Sequence, residues 1–472
     1  MSAALCWFRR NLRLDDNATL AAALRFADAV VPVFVLDPEP TGDVSPRRLA
    51  VLSDSLCELD ASLRARGSRL VVRNGPAAAA LPVLCRETGA DAVFAHRDHE
   101  PHPKTQNAAA AVALGAIGAK LHLVEDLHLV PAGALSSGDG RPYTVFTPFS
   151  RRWLERDKEP PVPEPARVPT PDAALAPSFA SLPPETVRGV GETGAPREPR
   201  GGAREAQRLW DAFRGGALLR YARERDRPDL PGTSRLSPHL RVGTIGVRRL
   251  LAEARATWKD ASANGKASVE TFIKELAWRE FYAGILETFP RVAAQNFRPE
   301  FDRFPWAAGG EAERRFAAWS AGRTGYPIVD AGMRQLLGEG WMHNRVRMVA
   351  ASFLTKDLLV DWRKGEAYFL RHLADGDLAS NNGGWQWAAG SGTDAQPFFR
   401  IFNPVLQGRK FDPEGAYVRA WLPELAPART AEPAAIHAPW LLPSPPPEYP
   451  APVVDHPVAR AAALAAFAAI RG

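Results

Sequence analysis

Cysteine is nearly absent from this 472-residue chain: Cys6, Cys57 and Cys85 are the only three, and no two have Cys-x-x-Cys spacing. That excludes a disulfide framework and a cysteine-based zinc site, and it fits a reducing compartment. No apolar run reaches the roughly eighteen residues that a bilayer span needs, and the N-terminal MSAALCWFRRNLRL lacks an apolar signal core followed by a cleavage site. A cytoplasmic protein with no membrane partner is expected. A glycine-rich phosphate turn is also missing, because the first strand-like run passes directly into RRNLRLDDN. The usual dinucleotide cradle is therefore not expected there. Charge of one sign is in small excess, 59 Lys+Arg against 53 Asp+Glu for a net +6. Such a surplus matters only if it gathers on one face and meets a polyanion.

What is present is apolar residue, 46% of the chain, enough for two or three cores. Short β-branched runs alternate with alanine-rich stretches: ALCWF (4–8), AVVPVFVLD (29–37), RLVVRNG (69–75), DAVFAH (91–96) and KLHLVED (120–126). Strands alternating with helices predict an α/β domain over 1–130, a doubly wound, Rossmann-like parallel sheet. From about 157 to 202 the composition turns to DKEPPVPEPARVPTP and then GETGAPREPRGG. Proline blocks helix and ladder hydrogen bonds alike, so 131–202 reads as an interdomain linker, extended through its proline-rich part. Beyond it the pattern is helical, and 11 of the 13 tryptophans lie between Trp210 and Trp440. A large all-α domain with an aromatic interior is expected over 203–472.

Two helical stretches carry faces of mixed chemistry. In KELAWREFY, Glu275, Trp278, Arg279 and Tyr282 share one stripe at i, i+3, i+4 and i+7, and in WMHNRVRM so do Trp341, Asn344, Arg345 and Met348. For one helix alone, a surface Glu275–Arg279 pair beside a half-buried indole is the simpler account. Two such stripes in one domain point to a polar, aromatic-walled cavity. GTSRLSPHL (232–240) offers hydroxyls and an arginine at a helix start, either as a plain N-cap with a Ser-Pro turn or as a phosphate contact. Tyr221 is equally a core phenol or a ligand contact.

The stretch DGDLASNNGGWQW (375–387) gathers acids, amides, glycines and indoles. Asp375 and Asp377 could serve as metal ligands, as an acid/base pair, or as partners of an arginine such as Arg347. No histidine cluster follows at ligand spacing, so no metal is expected, and carboxylates two residues apart are rarely aimed across one substrate. A buried Asp–Arg pair is the commoner arrangement. Gly383 and Gly384 permit close approach of a ring or a second backbone.

With GRTGYPIVDAGMRQL (322–336), WMHNRVRMVAASFLTKDLLVDW (341–362), DGDLASNNGGWQWAAGSGTDAQPFFRIFNP (375–404) and WFRRNLRLDDN (7–17), these stretches resemble the photolyase/cryptochrome family along essentially the whole chain. They are most similar to class I cyclobutane pyrimidine dimer photolyases. The resemblance implies a light-dependent DNA-repair flavoenzyme, a carbon–carbon lyase acting on flipped-out dimers in UV-damaged DNA, and a monomer. FAD, reduced and anionic in the active form, is the implied cofactor. Its contacts would be Tyr221, Thr233, Ser234, Arg235, Leu236, Ser237, Phe272, Arg347, Asp375, Gly376 and Asp377, with Asn381 facing flavin N5. Glu275 would hydrogen-bond a thymine carbonyl, Trp278 would stack on the bases, and Arg279, Tyr282, Asn344 and Met348 would complete the substrate pocket, the two mixed stripes becoming its walls. Arg225, Arg345, Arg400 and Gln407 would lie near the DNA backbone. Trp385, Trp362 and Trp306 would relay electrons to the flavin, while Trp387, Trp341 and Trp319 are expected in the core.

The N-terminal domain would house an antenna chromophore. Folate-binding members carry an Asn-Glu pair where this chain has His102 and Pro103, so a deazaflavin or a second flavin is expected before folate, and the absence of any antenna stays open. Two alternatives stand beside dimer repair. A (6-4) photolyase would place two adjacent histidines where this chain has His343 and Asn344. A cryptochrome-type photoreceptor is opposed by Asn381, by Met348 and by the lack of a long tail after the final AAIRG.

Overall fold

The computed structural model describes residues 2–37, 44–188, 199–395, 397–398, 400–425 and 433–470. Residues 189–198 of the expected linker lie outside the described residues. Five parallel strands, β1 (Ala3–Phe8), β2 (Ala29–Leu36), β3 (Val71–Asn74), β4 (Ala90–His96) and β5 (Lys120–Val124), stand in the order β3-β2-β1-β4-β5. Each coincides with one of the five apolar runs. β1 is buried at every position, as a strand covered on both faces must be. Pairing of β1 with β2 runs from Ala3 beside Ala29 to Phe8 beside Phe34. The helices Ala18–Phe26, Pro46–Arg64, Ala77–Thr88 and Pro101–Gly115 are the crossovers. The remainder is mostly helical, so the α/β-then-α pattern holds.

Two compact units emerge. The first comprises residues 1–143, 147–219 and 234–288, and the second 144–146, 220–233 and 289–472. In the first unit the described part of the proline-rich stretch is docked and, instead of running extended throughout, includes a short helix, Asp172–Leu175, and a 3-10 turn, Pro184–Arg188. Val30 N donates to the Pro169 carbonyl (2.7 Å), Val168 N to the Arg66 carbonyl (3.0 Å) and Leu182 N to the Val72 carbonyl (2.9 Å). Backbone groups of the stretch, the Pro169 carbonyl among them, are thus paired within the first unit, where a free linker would leave them to water.

RRNLRLDDN, which replaces the phosphate turn, builds a buried charge network. Arg13 Nη2 meets Asp126 Oδ1 at 2.9 Å, Arg248 Nη2 meets the same oxygen at 2.8 Å, and Arg248 Nε reaches Asp16 at 2.6 Å. Burial alone would raise the Asp126 carboxyl, but Arg13 and Arg248 outweigh it and hold it at about 2. Gly243 lets two segments meet here: at φ +76° its position admits no Cβ, which would lie 1.9 Å from the Arg10 carbonyl oxygen.

The second unit packs the helices Pro327–Glu339, Asn344–Ser352, Trp362–His372 and Leu378–Ala389 around a core that includes Trp319, Met333, Phe353, Trp362, Phe369, Trp385 and Tyr417. A single π turn at Phe353–Asp357 carries a fully buried Lys356, whose Nζ donates to the Arg400 carbonyl (3.2 Å). Burial presses that ammonium down to about 8, against the pull of Asp357.

Candidate functional site

The segment 375–387 folds as a short loop leading into Leu378–Ala389. Asp377 is the N-cap, its carboxylate accepting from Ser380 N at 3.0 Å, which satisfies one of the orphan donors of the first turn. Asp375 pairs with Arg347: Nη2 to Oδ2 is 2.8 Å, and Arg347 Nε is fixed by the Met342 carbonyl, also at 2.8 Å. The other carboxylate oxygen, Asp375 Oδ1, is buried with no hydrogen-bond partner among the described residues, and so is the Trp385 indole N–H. Two unpaired buried polar atoms of opposite kind on one segment are costly unless a ligand meets them. Gly384 has nothing within 4 Å of the place a Cβ would occupy, so protein packing does not require a glycine there.

Asn381 lies in the first turn of the same helix, and its amide Nδ2 donates to the Glu366 carbonyl oxygen at 3.0 Å. The Glu366 carboxyl has a buried oxygen without a partner among the described residues. Burial raises it to about 7, with the Asn381 hydrogen bond opposing. Glu366 escaped the sequence reading. Its signal was available, since it sits one turn after the buried Trp362 and therefore on an inward face.

In the same unit, Asn344–Ser352 begins at the N-cap His343, whose Nδ1 accepts from Arg345 N at 3.2 Å. Asn344 is exposed, and its amide lies 3.9 Å from the Met348 sulfur on the next turn. Arg345 is engaged with Asp226 (Nη2 to Oδ2 2.8 Å) and sits 4.5 Å over the Phe411 ring. The Arg225 guanidinium lies 5.4 Å over the Tyr221 ring. Thr233 is half-buried, Gln407 is half-buried on the helix Pro404–Phe411, and Arg400 is exposed. Gly376 is buried beside the capping Asp377. Trp362 is fully buried with its N–H on Asn296 Oδ1 (2.9 Å), and the ring of half-buried Trp306 lies tilted 4.4 Å from that of Phe304. Trp319 and Trp341 are buried, as expected of core residues, and Trp387 packs half-buried against that core.

The first unit presents the other stripe on the 26-residue helix Ala263–Thr288. Phe272 is buried, stacked 5.5 Å from Trp210. Glu275, Trp278 and Tyr282 are half-buried, with the Trp278 and Tyr282 rings 5.5 Å apart. Arg279 donates to the Leu127 carbonyl oxygen at 2.8 Å, a tie to the chain after β5. Adjacent Glu280, which sequence reasoning passed over, is buried and accepts from Val130 N (3.0 Å) and Trp153 Nε1 (2.6 Å). Arg235 adopts φ +52° and is exposed, Ser234 Oγ accepts from Leu236 N at 3.4 Å, Leu236 is buried, and Ser237 opens the six-residue helix Ser237–Val242. Among the described residues, the one grouping with metal-ligand chemistry is Asp98, His99 and Glu100. Its Glu100 carboxylate is taken by two guanidiniums, Arg10 at 2.8 Å and Arg241 at 2.7 Å.

Residues 272–469 match the family described as "FAD binding domain of DNA photolyase", and residues 4–167 match "DNA photolyase". A deoxyribodipyrimidine photo-lyase of Halobacterium salinarum is 43% identical, the alignment covering 99% of both chains. A bacterial class III photolyase from Agrobacterium tumefaciens superposes with TM-score 0.90 at 39% identity, covering 100% of this chain and 98% of the other. An archaeal photolyase from Sulfolobus tokodaii, solved with two FAD molecules, does so with TM-score 0.84 at 33% identity, covering 99% and 100%.

Proposed function

The chain belongs to the DNA photolyase family, and on that premise we propose that it repairs cyclobutane pyrimidine dimers in DNA by a light-dependent reaction with FAD as cofactor. The observation that carries the reading at the level of residues is the 375–387 segment. An unpaired buried carboxylate oxygen, an unpaired buried indole N–H and an amide at Asn381 suit a ring system that bears both donors and acceptors, as the isoalloxazine does. These residues would hold FAD, which in its reduced form would supply the light-driven electron chemistry that opens the dimer.

The chain's own residues then divide the work. Arg347 holds Asp375 so that its second oxygen is presented, and Asp377 fixes the helix start beside Gly376. Asn381 offers an amide, which adds no negative charge beside a reduced, anionic flavin. Tyr221, Thr233, Ser234, Arg235, Leu236, Ser237 and Phe272 are the remaining FAD contacts of the proposal. Glu275 hydrogen-bonds a thymine carbonyl, Trp278 stacks on the extruded bases with Tyr282 and Arg279 supporting it, and Asn344 and Met348 pack against the dimer. Arg225, Arg345, Arg400 and Gln407 take the DNA backbone. Trp385, Trp362 and Trp306 deliver electrons that return oxidised flavin to its working state. UV-damaged DNA is the partner, and the protein acts as a monomer in the cytoplasm. A deazaflavin or second flavin serves as antenna, a reading supported by the archaeal relative with two FAD molecules.

The test at this level is Glu275→Ala. Dimer splitting by the reduced protein should fall while flavin content stays at the wild-type value; loss of flavin instead refutes the assignment of Glu275 to the substrate.

A further inference from the structure

We propose that Asp226 sets the preference of this protein for damaged over intact DNA, by holding the guanidiniums of Arg225 and Arg345 against a carboxylate with which every phosphate must compete. It rests on the reading that these two arginines take the DNA backbone beside the dimer pocket. Asp226 faces both of them. Arg345 is held at two points, Nη2 to Oδ2 at 2.8 Å and Nε to Oδ1 at 3.2 Å, and Arg225 Nε lies 3.9 Å from Oδ1. Phe411, 4.5 Å from the Arg345 guanidinium, braces it from a second side. Arg345 is thus fixed in place, one residue from Asn344 of the proposed pocket.

Folding does not call for this acid. The side chains of Arg345 and Asp226 are 20% and 36% exposed, and a pair so open to water adds little to stability. Asp229, three residues on, shows the contrast: its side chain is only 6% exposed, and it meets the Arg227 guanidinium at 2.5 Å and 2.7 Å as a structural partner.

The effect of Asp226 falls on binding instead. With it, the three groups carry one net positive charge where the two arginines alone would carry two. An intact backbone therefore meets a weakened attraction, and it shares each guanidinium with a carboxylate that repels it. A strand bearing a dimer adds the contacts of the pocket. For that strand a braced Arg345 is an advantage, because less side-chain freedom is lost on binding. Asp226 penalises intact DNA more than damaged DNA, which is discrimination by repulsion as well as by fit.

The test measures affinity of the flavin-loaded protein, in the dark and over a range of salt, for a duplex with one thymine dimer and for the same duplex intact. Asp226→Asn keeps the shape and removes the charge. Affinity for intact DNA should rise about fivefold with a steeper salt dependence, while affinity for damaged DNA stays within about twofold, so that discrimination falls. Flavin content and unfolding midpoint report that each variant is folded. An equal rise for both duplexes, or a rise for neither, overturns the role of Asp226. A fall for the damaged duplex alone overturns the repulsion and leaves Asp226 only a positioning residue. Arg345→Ala, run in parallel, should weaken binding of both duplexes; if it changes neither affinity nor salt slope, the placement of Arg345 on the backbone fails, and the proposal with it.

Discussion

Replacing Glu366 by Gln should stabilise the protein at alkaline pH and leave it unchanged at acid pH. The carboxyl is raised from its ordinary 4.5 to about 7, first by burial and against the Asn381 hydrogen bond. A folded-state value above the unfolded one means that the folded protein prefers the protonated acid. The contribution is fully present below pH 4.5 and is lost as pH rises through about 7. At about 1.4 kcal/mol per pH unit, the difference corresponds to roughly 3 kcal/mol between the two limits. Buried imidazoles tilt the wild-type profile the other way. His96, His239 and His437 are each pressed by burial to about 4, and they lose stability as pH falls from 6.5. The wild-type curve alone therefore does not isolate Glu366, but the difference from Glu366→Gln does. Urea unfolding of both proteins at half-unit steps from about pH 4.5 to 8 should give a gap that opens with pH in favour of the variant. A gap that is constant with pH, or that opens in favour of the wild type, refutes a neutral buried acid beneath Asn381.

Three further changes test the same architecture. Arg347→Ala strands the Asp375 carboxylate, only 2% exposed, and should cost about 2–4 kcal/mol, toward the low side because the guanidinium itself is 25% exposed; denaturant midpoints and retained flavin check it. Gly365→Ala would put a Cβ 2.2 Å from the Trp385 ring and 2.6 Å from Leu354; about 1–3 kcal/mol of overpacking and slower photoreduction are expected from unfolding and illumination. Arg400→Ala, at an exposed position, should weaken binding to dimer-containing DNA and lower the slope of log affinity against log salt by roughly one, with no change in thermal midpoint.

The strands were legible because a two-sided sheet needs unbroken apolar runs, and ALCWF and DAVFAH are such runs. Their order was not, since any of several right-handed crossovers of similar length serves equally well; β4 beside β1 is decided by tertiary packing. The proline-rich stretch reads as extended, but composition cannot reveal that Val168 and Leu182 lend it hydrogen bonds to the first unit. At the candidate site, Asp375 and Arg347 lie 28 positions apart, and only their chemistry suggested the pair. The cap at Asp377 is local and was overlooked in favour of ligand chemistry, although Asp three residues before Ser380 is an ordinary helix start.

The most direct measurement is splitting of a single thymine dimer in a defined oligonucleotide by the purified, reduced protein, in blue light and in the dark. Restored thymines should accumulate with illumination and not without it, and many dimers should be opened per protein molecule. A dimer that persists equally in both samples, with flavin bound and DNA engaged, contradicts repair as the function.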